Sequence, residues 1–173
     1  MRPLIRPTTP DDIAAITAIY AHAVVHGTAS FEIEPPNTAK MARRWRSLTE
    51  SGCPYFVTEI DGAVAGYAYA GPYRSRPAYR WTLEDSIYMA PDAQRRGIGR
   101  KLLQQLIDES ETRGFRQMMA VIGDSAQTAS IALHRNLGFR LVGTHQAVGF
   151  KHGRWLDTVE MQRPLGLGST AGP

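Results

Sequence analysis

The 173-residue sequence contains a single cysteine, Cys53, and no apolar run that approaches a membrane span, which needs roughly 18 residues. One cysteine excludes an internal disulfide framework and leaves no cysteine cluster for zinc. Residues 1–6 lack the apolar stretch of a secretory signal peptide. Because no feature indicates export or membrane insertion, the sequence predicts a cytoplasmic protein that does not bind membranes.

The sequence also lacks a strong charge bias, since 20 Lys and Arg stand against 16 Asp and Glu, for a net charge of +4. It has no long basic run, and aromatics interleaved with basic residues are confined to residues 73–81. This pattern favours a small anionic ligand over a nucleic acid. The length predicts one domain over residues 1–165. The small, polar tail at residues 166–173 is predicted to be disordered.

Hydrophobic periods and turn residues predict the element order βααβββαβαββ. Thr9-Pro10 opens the first helix, Asp61-Gly62 marks a hairpin, and Gly138 ends the last helix. The predicted strands cover residues 4–6, 55–60, 63–70, 80–89, 117–122, 140–148 and 155–162. The predicted helices run from 9 to 27, 38 to 50, 97 to 114 and 125 to 137. This order predicts an α/β protein with a mixed sheet and helices on both faces.

A basic, glycine-containing turn joins a predicted strand to a predicted helix. It reads Gln94-Arg95-Arg96-Gly97-Ile98-Gly99-Arg100-Lys101 and follows the strand that ends at Ile87-Tyr88-Met89. Glycines let the backbone approach a ligand, and the free N–H groups of a helix start attract anions. The turn lacks the Walker A spacing and the third glycine of a dinucleotide fingerprint. It therefore predicts a pyrophosphate site of another kind.

This turn resembles the Gln/Arg-x-x-Gly-x-Gly/Ala signature of the GNAT acetyltransferases, whose fold has the same element order. Six further motifs resemble the phosphinothricin and methionine sulfoximine N-acetyltransferases within that superfamily. They are Ser30-Phe31-Glu32, Gly66-Tyr67-Ala68-Tyr69-Ala70, Arg74-x-Arg76-x-Ala78-Tyr79-Arg80, Thr82-Leu83-Glu84-Asp85-Ser86-Ile87-Tyr88, Ser130-Ile131-x-Leu133-His134 and Lys151-x-Gly153-Arg154-Trp155-Leu156-Asp157. The resemblance covers roughly residues 5–165.

The resemblance implies an enzyme that moves an acetyl group from acetyl-CoA to the α-amine of a small anionic amino-acid analogue. The implied acceptors are L-phosphinothricin, L-methionine sulfoximine and L-methionine sulfone, which connects the chain with detoxification and herbicide resistance. The implied reaction is direct attack in a ternary complex, without a metal and without a covalent enzyme intermediate. Family members are typically homodimers. The sequence leaves the physiological amine and the dimer interface open.

Glu84 is expected to be the general base. With a period of two, one face of its strand carries Thr82, Glu84, Ser86 and Tyr88. An exposed strand glutamate without a catalytic role is the alternative. His134 lies where many GNAT enzymes place a tyrosine that protonates the leaving thiolate. The alternatives for His134 are a hydrogen bond to the substrate and a packing role on its helix.

The resemblance assigns the remaining site residues to the donor and the acceptor. The expected acetyl-CoA contacts are the backbone of Ile87, Tyr88 and Met89, the turn formed by Arg95, Arg96, Gly97, Ile98, Gly99 and Arg100, and two residues of the last predicted helix, Gln127 and Ser130. Gln127 replaces the asparagine usual in the family, which puts its contact in question. The expected acceptor contacts are Arg74, Ser75, Arg76, Glu84, Asp85, Ser86, Phe31 and Tyr79. Arginine's planar fork suits carboxylate and phosphinate oxygens, whereas a solvated charge cluster is the alternative.

Three other functions are compatible with parts of the sequence. A GNAT enzyme could act on a protein N-terminus or on another small amine, and a GNAT domain could bind acetyl-CoA without catalysis. His22 and His26 have a helical spacing that suits a metal, but the sequence supplies neither the glutamate of His-Glu-x-x-His nor a nearby third ligand. No metal site is therefore expected.

Overall fold

A seven-stranded sheet is the centre of the computed structural model, which describes residues 3–173. The strands are β1 (Leu4–Pro7), β2 (Tyr55–Ile60), β3 (Ala63–Pro72), β4 (Thr82–Met89), β5 (Gln117–Gly123), β6 (Arg140–Lys151) and β7 (Arg154–Pro164). Their spatial order is β1-β2-β3-β4-β5-β7-β6. The pair β4–β5 is parallel, and the other neighbours are antiparallel.

The helices are α1 (Ile13–His26), α2 (Thr38–Glu50), α3 (Ile98–Thr112) and α4 (Thr128–Asn136). The element order matches the predicted one, and the mixed α/β class is confirmed. Asp61 and Gly62 both have positive φ, 52° and 79°, as a two-residue hairpin turn requires. Asn37 caps α2 by accepting a hydrogen bond from the Lys40 N–H at 2.9 Å.

Three predicted boundaries are shifted by local turns. Residues 10–12 form a 3₁₀ turn before α1, and residues 77–79 form another before β4. The helix α4 begins at Thr128 and not at residue 125. The reason is that Asp124 has a φ of 71° and accepts a hydrogen bond from the Ala126 N–H at 3.0 Å, which makes a turn where the helix was expected.

Alternating side chains of the sheet enter two separate cores. On one face, Phe56 and Ala68 pack with Leu102 and Leu106 of α3. On the other face, Tyr55, Val57 and Tyr67 pack with residues of α1 and α2, among them Ile16, Tyr20 and Met41. The helices therefore cover both faces of the sheet, as predicted, and each residue of the central strands belongs to one face or the other.

Strands β4 and β5 separate partway along their length. Their pairing runs from Thr82 opposite Gln117 to Asp85 opposite Ala120. β4 continues to Met89 and β5 to Gly123 without pairing to each other. The separation leaves a wedge-shaped gap in the middle of the sheet, with backbone groups on both of its inner edges.

The C-terminal residues 166–173 form turns that contact the domain. The Gly168 N–H donates to the carbonyl of the buried Leu165 at 2.8 Å, and Arg116 donates to the Gly172 carbonyl at 2.8 Å. The domain boundary at residue 165 and the disorder of the tail stay predictions. Among residues 3–173, no helix combines the length and the apolar character needed to cross a bilayer.

Candidate active site

A chamber of about 650 Å³ opens on the α1–α2 face of the sheet, beside the gap between β4 and β5. Glu84 and Ser86 of β4 form part of its wall, as the period of two predicts for one strand face. The opposite wall belongs to α2, and stacked tyrosines lie between them. The other lining residues that matter here are Tyr20, Glu32, Met41, Arg43, Arg44, Leu48, Tyr55, Tyr67 and Tyr69.

Glu84 has the electrostatic setting of a base that works near neutral pH. Partial burial raises the pKa of Glu84, the neighbouring charges of Asp85 and Glu160 raise it further, and the resulting pKa is about 7. A carboxyl group with a normal pKa is a poor base for an ammonium group. The shift therefore brings Glu84 closer to the acceptor amine in proton affinity.

Asp85 and His134 lie on the other side of β4 and bind each other. His134 Nε2 is 2.9 Å from Asp85 Oδ2, and His134 Nδ1 is 2.8 Å from the Ser130 carbonyl oxygen. Both side chains are almost completely buried. Burial lowers the pKa of His134, but the charge of Asp85 and the two hydrogen bonds outweigh it, so that the pKa lies above its usual range. Asp85, expected at the acceptor, faces away from the Glu84 chamber.

A narrow cleft of about 60 Å³ follows the separation of β4 and β5. Its walls include Ile87 and Tyr88 from β4, residues 121–123 from β5, and Gln127, Ser130 and His134 from the α4 region. Most of the residues expected to contact the pantetheine part of acetyl-CoA thus lie together. Met89 is outside this group, because its side chain packs over Gly66 on β3.

The basic turn forms the start of α3, immediately after β4. Gly97 is the N-cap residue with a φ of 73°, and no side chain caps the free N–H groups of the helix. Arg95 has a φ of 58°, and Arg95, Arg96 and Arg100 are exposed. Gly99 lies close to β4, because a Cβ atom there would be 3.8 Å from Ile87 Cδ1. Uncapped N–H groups beside exposed guanidinium groups fit a pyrophosphate.

Gln127 bonds to the loop between α1 and α2. Its Nε2 donates to Thr28 Oγ1 at 3.1 Å, and Thr28 in turn donates to the buried Asp124 at 2.9 Å. The side chain is therefore already engaged on the protein side of the cleft. Asp124 also pairs with Arg154 at 2.6 Å, so this carboxylate connects the loop to β7.

The Phe31 ring fills a slot formed by two glycines and so anchors the loop between α1 and α2. A Cβ atom at Gly149 would overlap the Phe31 ring, and one at Gly123 would come within 2.9 Å of it. Lys151 fixes the loop further by donating to the Ser30 carbonyl at 2.7 Å. Phe31 therefore lies at the end of β5 and outside the walls of the Glu84 chamber. The slot could not be predicted from the sequence, because Gly123 and Gly149 come together only in the folded sheet.

The loop that carries Arg74 and Arg76 lies at the rim of the chamber, and its charged groups point outward. Gly71 and Pro72 line the chamber, while Arg74 and Arg76 after them are exposed. The Arg74 guanidinium lies 5.0 Å from the Tyr73 ring and 5.6 Å from the Tyr79 ring. Ser75, also expected at the acceptor, is exposed as well.

Two arginines that the sequence analysis missed line the chamber instead. Arg43 and Arg44 belong to α2, and Arg44 forms an ion pair with Glu32. Helical spacing places Arg44 on the inward face with Met41, Trp45 and Leu48. An arginine on an otherwise apolar helix face is the signal that could have indicated it.

The two histidines of α1 lie together without forming a recognisable metal site. The rings of His22 and His26 are 4.6 Å apart. Within the part of the chain that the structure describes, no group of three or more His, Cys, Asp or Glu side chains is arranged to hold a metal ion. Cys53 is buried, and burial raises the pKa of its thiol, which makes it a weak nucleophile.

Comparison with known proteins identifies the family of this chain. The sequence profile of the "Acetyltransferase (GNAT) family" matches residues 16–139. A phosphinothricin N-acetyltransferase of Alcaligenes faecalis is 53% identical over 169 residues, which cover 98% of this chain and 86% of that protein. An L-methionine sulfoximine/L-methionine sulfone acetyltransferase of Salmonella typhimurium is 43% identical over 154 residues, which cover 89% of this chain and 90% of that one.

A solved structure extends the similarity to the whole fold. It is a GNAT superfamily phosphinothricin acetyltransferase from Sinorhizobium meliloti in complex with acetyl-CoA, with a TM-score of 0.97 and 50% identity. The alignment covers 100% of this chain and 94% of that one. Family profile, close relatives and fold agree, so this chain belongs to the GNAT acetyltransferase family and is an acetyl-CoA-dependent acetyltransferase.

Proposed function

We propose that the enzyme acetylates the α-amine of a small anionic amino-acid analogue such as L-phosphinothricin, L-methionine sulfoximine or L-methionine sulfone. The observation that carries this proposal is Glu84, a carboxyl group with a pKa near 7 in the wall of a chamber beside the gap between β4 and β5. The names of the relatives from Alcaligenes faecalis and Salmonella typhimurium support the choice of acceptor.

The donor approaches from the α3–α4 side of the sheet and the acceptor from the α1–α2 side. The α3 turn holds the pyrophosphate through its N–H groups and through Arg95, Arg96 and Arg100. The thioester arm lies in the cleft along Ile87 and Tyr88. The inner edge of β4 has no strand partner at these residues, so its N–H and C=O groups are available to the thioester arm.

Acetyl transfer then needs a group that accepts a proton from the amine and a hydrogen-bond donor that stabilises the oxyanion. Glu84 removes a proton from the acceptor ammonium, directly or through a water molecule, and the amine nitrogen attacks the thioester carbonyl carbon. A backbone N–H of β4 stabilises the oxyanion. The new C–N bond forms as the C–S bond breaks, and the CoA thiolate leaves and takes up the second proton that the amine nitrogen loses as it becomes an amide. No group on the enzyme becomes acetylated.

Arg74 and Arg76 bind the anionic part of the acceptor at the rim of the chamber. They follow directly on Gly71 and Pro72, which line it. Neither side chain has a carboxylate partner among residues 3–173. Their charges are therefore available to a substrate carboxylate or phosphinate.

The enzyme works as a homodimer in the cytoplasm, with the exposed surface of β6 and β7 as the interface. β6 is the edge strand of the sheet, and apolar side chains cover this surface. They are Leu141, Val142, Val148, Phe150 and Trp155, each about half or more exposed. An exposed edge strand that carries several exposed apolar side chains is typical of a surface that pairs with another chain.

Replacing Glu84 tests the base directly. Glu84→Gln should lower kcat by about 100-fold or more, the usual contribution of a general base. In the wild-type enzyme, kcat/KM should rise with pH through a limb near pH 7, because Glu84 must lose its proton to act. That limb should vanish in the variant.

Glu160→Gln is the control: it should keep kcat and move the limb to lower pH, since the Glu160 charge raises the pKa of Glu84. A Glu84→Gln enzyme with normal kcat would eliminate this mechanism.

A thiol-release assay with acetyl-CoA tests the acceptor class. Turnover is expected with L-phosphinothricin, L-methionine sulfoximine and L-methionine sulfone. The Arg74→Gln/Arg76→Gln double variant should lose about 100-fold or more in kcat/KM for all three, because each hydrogen bond to a charged group contributes about 1.5–3 kcal/mol. Arg46→Gln/Arg113→Gln removes two charges outside the chamber and should change little. Cofactor binding without turnover would indicate a sensor. Full activity of the Arg74/Arg76 variant would place the anion elsewhere.

Light scattering coupled to size exclusion tests the interface. The wild-type chain should elute as a dimer, and Phe150→Asp/Trp155→Asp should elute as a monomer, because charges replace the aromatic pair whose rings are 5.3 Å apart. Leu4→Asp at the opposite edge strand, also exposed, is the matched control and should stay dimeric. A dimeric double variant would refute this interface.

A further inference from the structure

We infer that Asp85 and His134 form a positioning pair whose hydrogen bond ties α4 to β4 at the point where β4 and β5 separate. The reaction depends on this bond, and His134 exchanges no proton with the substrates. The inference rests on the proposed function, because it takes the cleft as the site of the donor and Glu84 as the base.

The hydrogen-bond partners of His134 determine where its protons lie. The Ser130 carbonyl can only accept, so Nδ1 at 2.8 Å carries a hydrogen. Nε2 faces a carboxylate oxygen at 2.9 Å, and a charge-assisted bond forms when Nε2 is also protonated. The upward pKa shift of His134 agrees with an imidazolium ion. The pair then has no net charge, which suits its burial.

The pair lies at the last residue that joins the two halves of the sheet. Asp85 is opposite Ala120, the final pair in the β4–β5 ladder. Beyond it, no backbone hydrogen bond holds β4 to β5. Among the side-chain hydrogen bonds of residues 3–173, the Asp85–His134 bond is the one that joins β4 to α4.

Asp85 depends on His134 for its stabilisation. Asp85 Oδ1 is buried and has no hydrogen-bond partner within residues 3–173, so Nε2 of His134 is the recorded side-chain partner of this carboxylate. Removing one partner of a buried ion pair leaves an uncompensated charge, which is strongly unfavourable. The bond therefore holds the two elements at a fixed distance.

The two elements carry different parts of the site. The α4 region supplies Gln127 and Ser130 to the donor cleft, and β4 supplies Glu84 to the acceptor chamber. Since Glu84 and Asp85 are adjacent, a shift of Asp85 moves the base as well. The pair thus sets the position of the donor relative to the base. Small misplacements of reacting groups are costly in rate.

His134 is poorly placed to give a proton to the leaving thiolate. Both of its ring nitrogens are occupied by acceptors, and the residue is 2% exposed. The Phe139 ring packs against the imidazole in a T-shaped contact, with the ring centroids 5.0 Å apart. Proton donation would require breaking the bond to Asp85 in a buried site.

Single and double variants separate the two roles. Asp85→Asn and His134→Gln each break the ionic bond, and each should raise KM for acetyl-CoA by about tenfold and lower kcat/KM by a similar or larger factor. The double variant Asp85→Asn/His134→Gln restores a neutral amide–amide bond and should recover to within a few-fold of wild type. Asp108→Asn, which breaks the exposed Gln104–Asp108 bond of 2.7 Å on α3, is the control and should change nothing.

The outcomes distinguish the alternatives. A His134→Gln enzyme far less active than Asp85→Asn, without recovery in the double variant, would identify His134 as a proton donor and overturn the inference. Additive losses, or normal kinetics in both single variants, would also overturn it. A loss of activity that merely matches the loss of folded protein in the same sample would indicate a structural role alone and would count against positioning.

A measurement on the wild-type protein needs no variant. Nitrogen-15 NMR of His134 at pH 7 should show both ring nitrogens protonated, and an Nε2 resonance typical of a nitrogen without a hydrogen-bond partner would refute the pair. This readout is independent of turnover. If the acceptor panel or Glu84→Gln contradicts the proposed function, the NMR result still decides whether the pair exists.

Discussion

The separation of β4 from β5 after Asp85 and Ala120 is the constraint on which the site depends. Leaving a buried backbone polar group without a partner costs about 1–3 kcal/mol. The N–H and C=O groups on the inner edges of β4 and β5, which no longer pair with each other, can therefore take another molecule as their hydrogen-bond partner. The pantetheine arm of acetyl-CoA has amide groups of the right kind. The gap is consequently the part of the sheet to which we assign the donor in the proposed function.

Because side chains alternate along β4, two adjacent carboxylates lie on opposite faces of the sheet and in different surroundings. Glu84 faces a chamber with tyrosine walls, where burial and like charges raise its pKa to about 7. Asp85 faces α4, where His134 neutralises it. One strand therefore carries the proposed base on one face and the side chain that bonds to α4 on the other. A shift of one residue in register would exchange these roles and remove the base from the chamber.

The parts of the fold that the sequence predicted are those encoded by neighbouring residues. The bounds of α2 and β2 and the Asp61-Gly62 hairpin follow from caps, turn residues and short periods. The start of α4 was placed too early, because Asp124 takes its conformation with help from distant partners, Thr28 and Arg154.

The features of the site also fall into those that neighbouring residues predict and those that depend on distant parts of the chain. The face of Glu84 and the turn at Gly97 could be predicted from period and composition. The slot that holds Phe31 and the Asp85–His134 bond could not, because each joins segments far apart in the chain. Arg44 was missed for a related reason, since its inward direction matters only once α2 is known to cover a chamber.

The cations around the chamber differ in what they can offer an anionic acceptor. Arg44 already holds Glu32, and a substrate carboxylate would have to displace a partner of the same chemistry. Arg74 rests on two tyrosine rings and Arg76 is exposed, and cation–π contacts at exposed sites are worth only about 0.5–1 kcal/mol. A bidentate bond to a carboxylate or phosphinate exceeds that loss. The acceptor anion is therefore better served by the rim arginines, and the Arg44–Glu32 pair is left to hold α2 against the loop of Phe31.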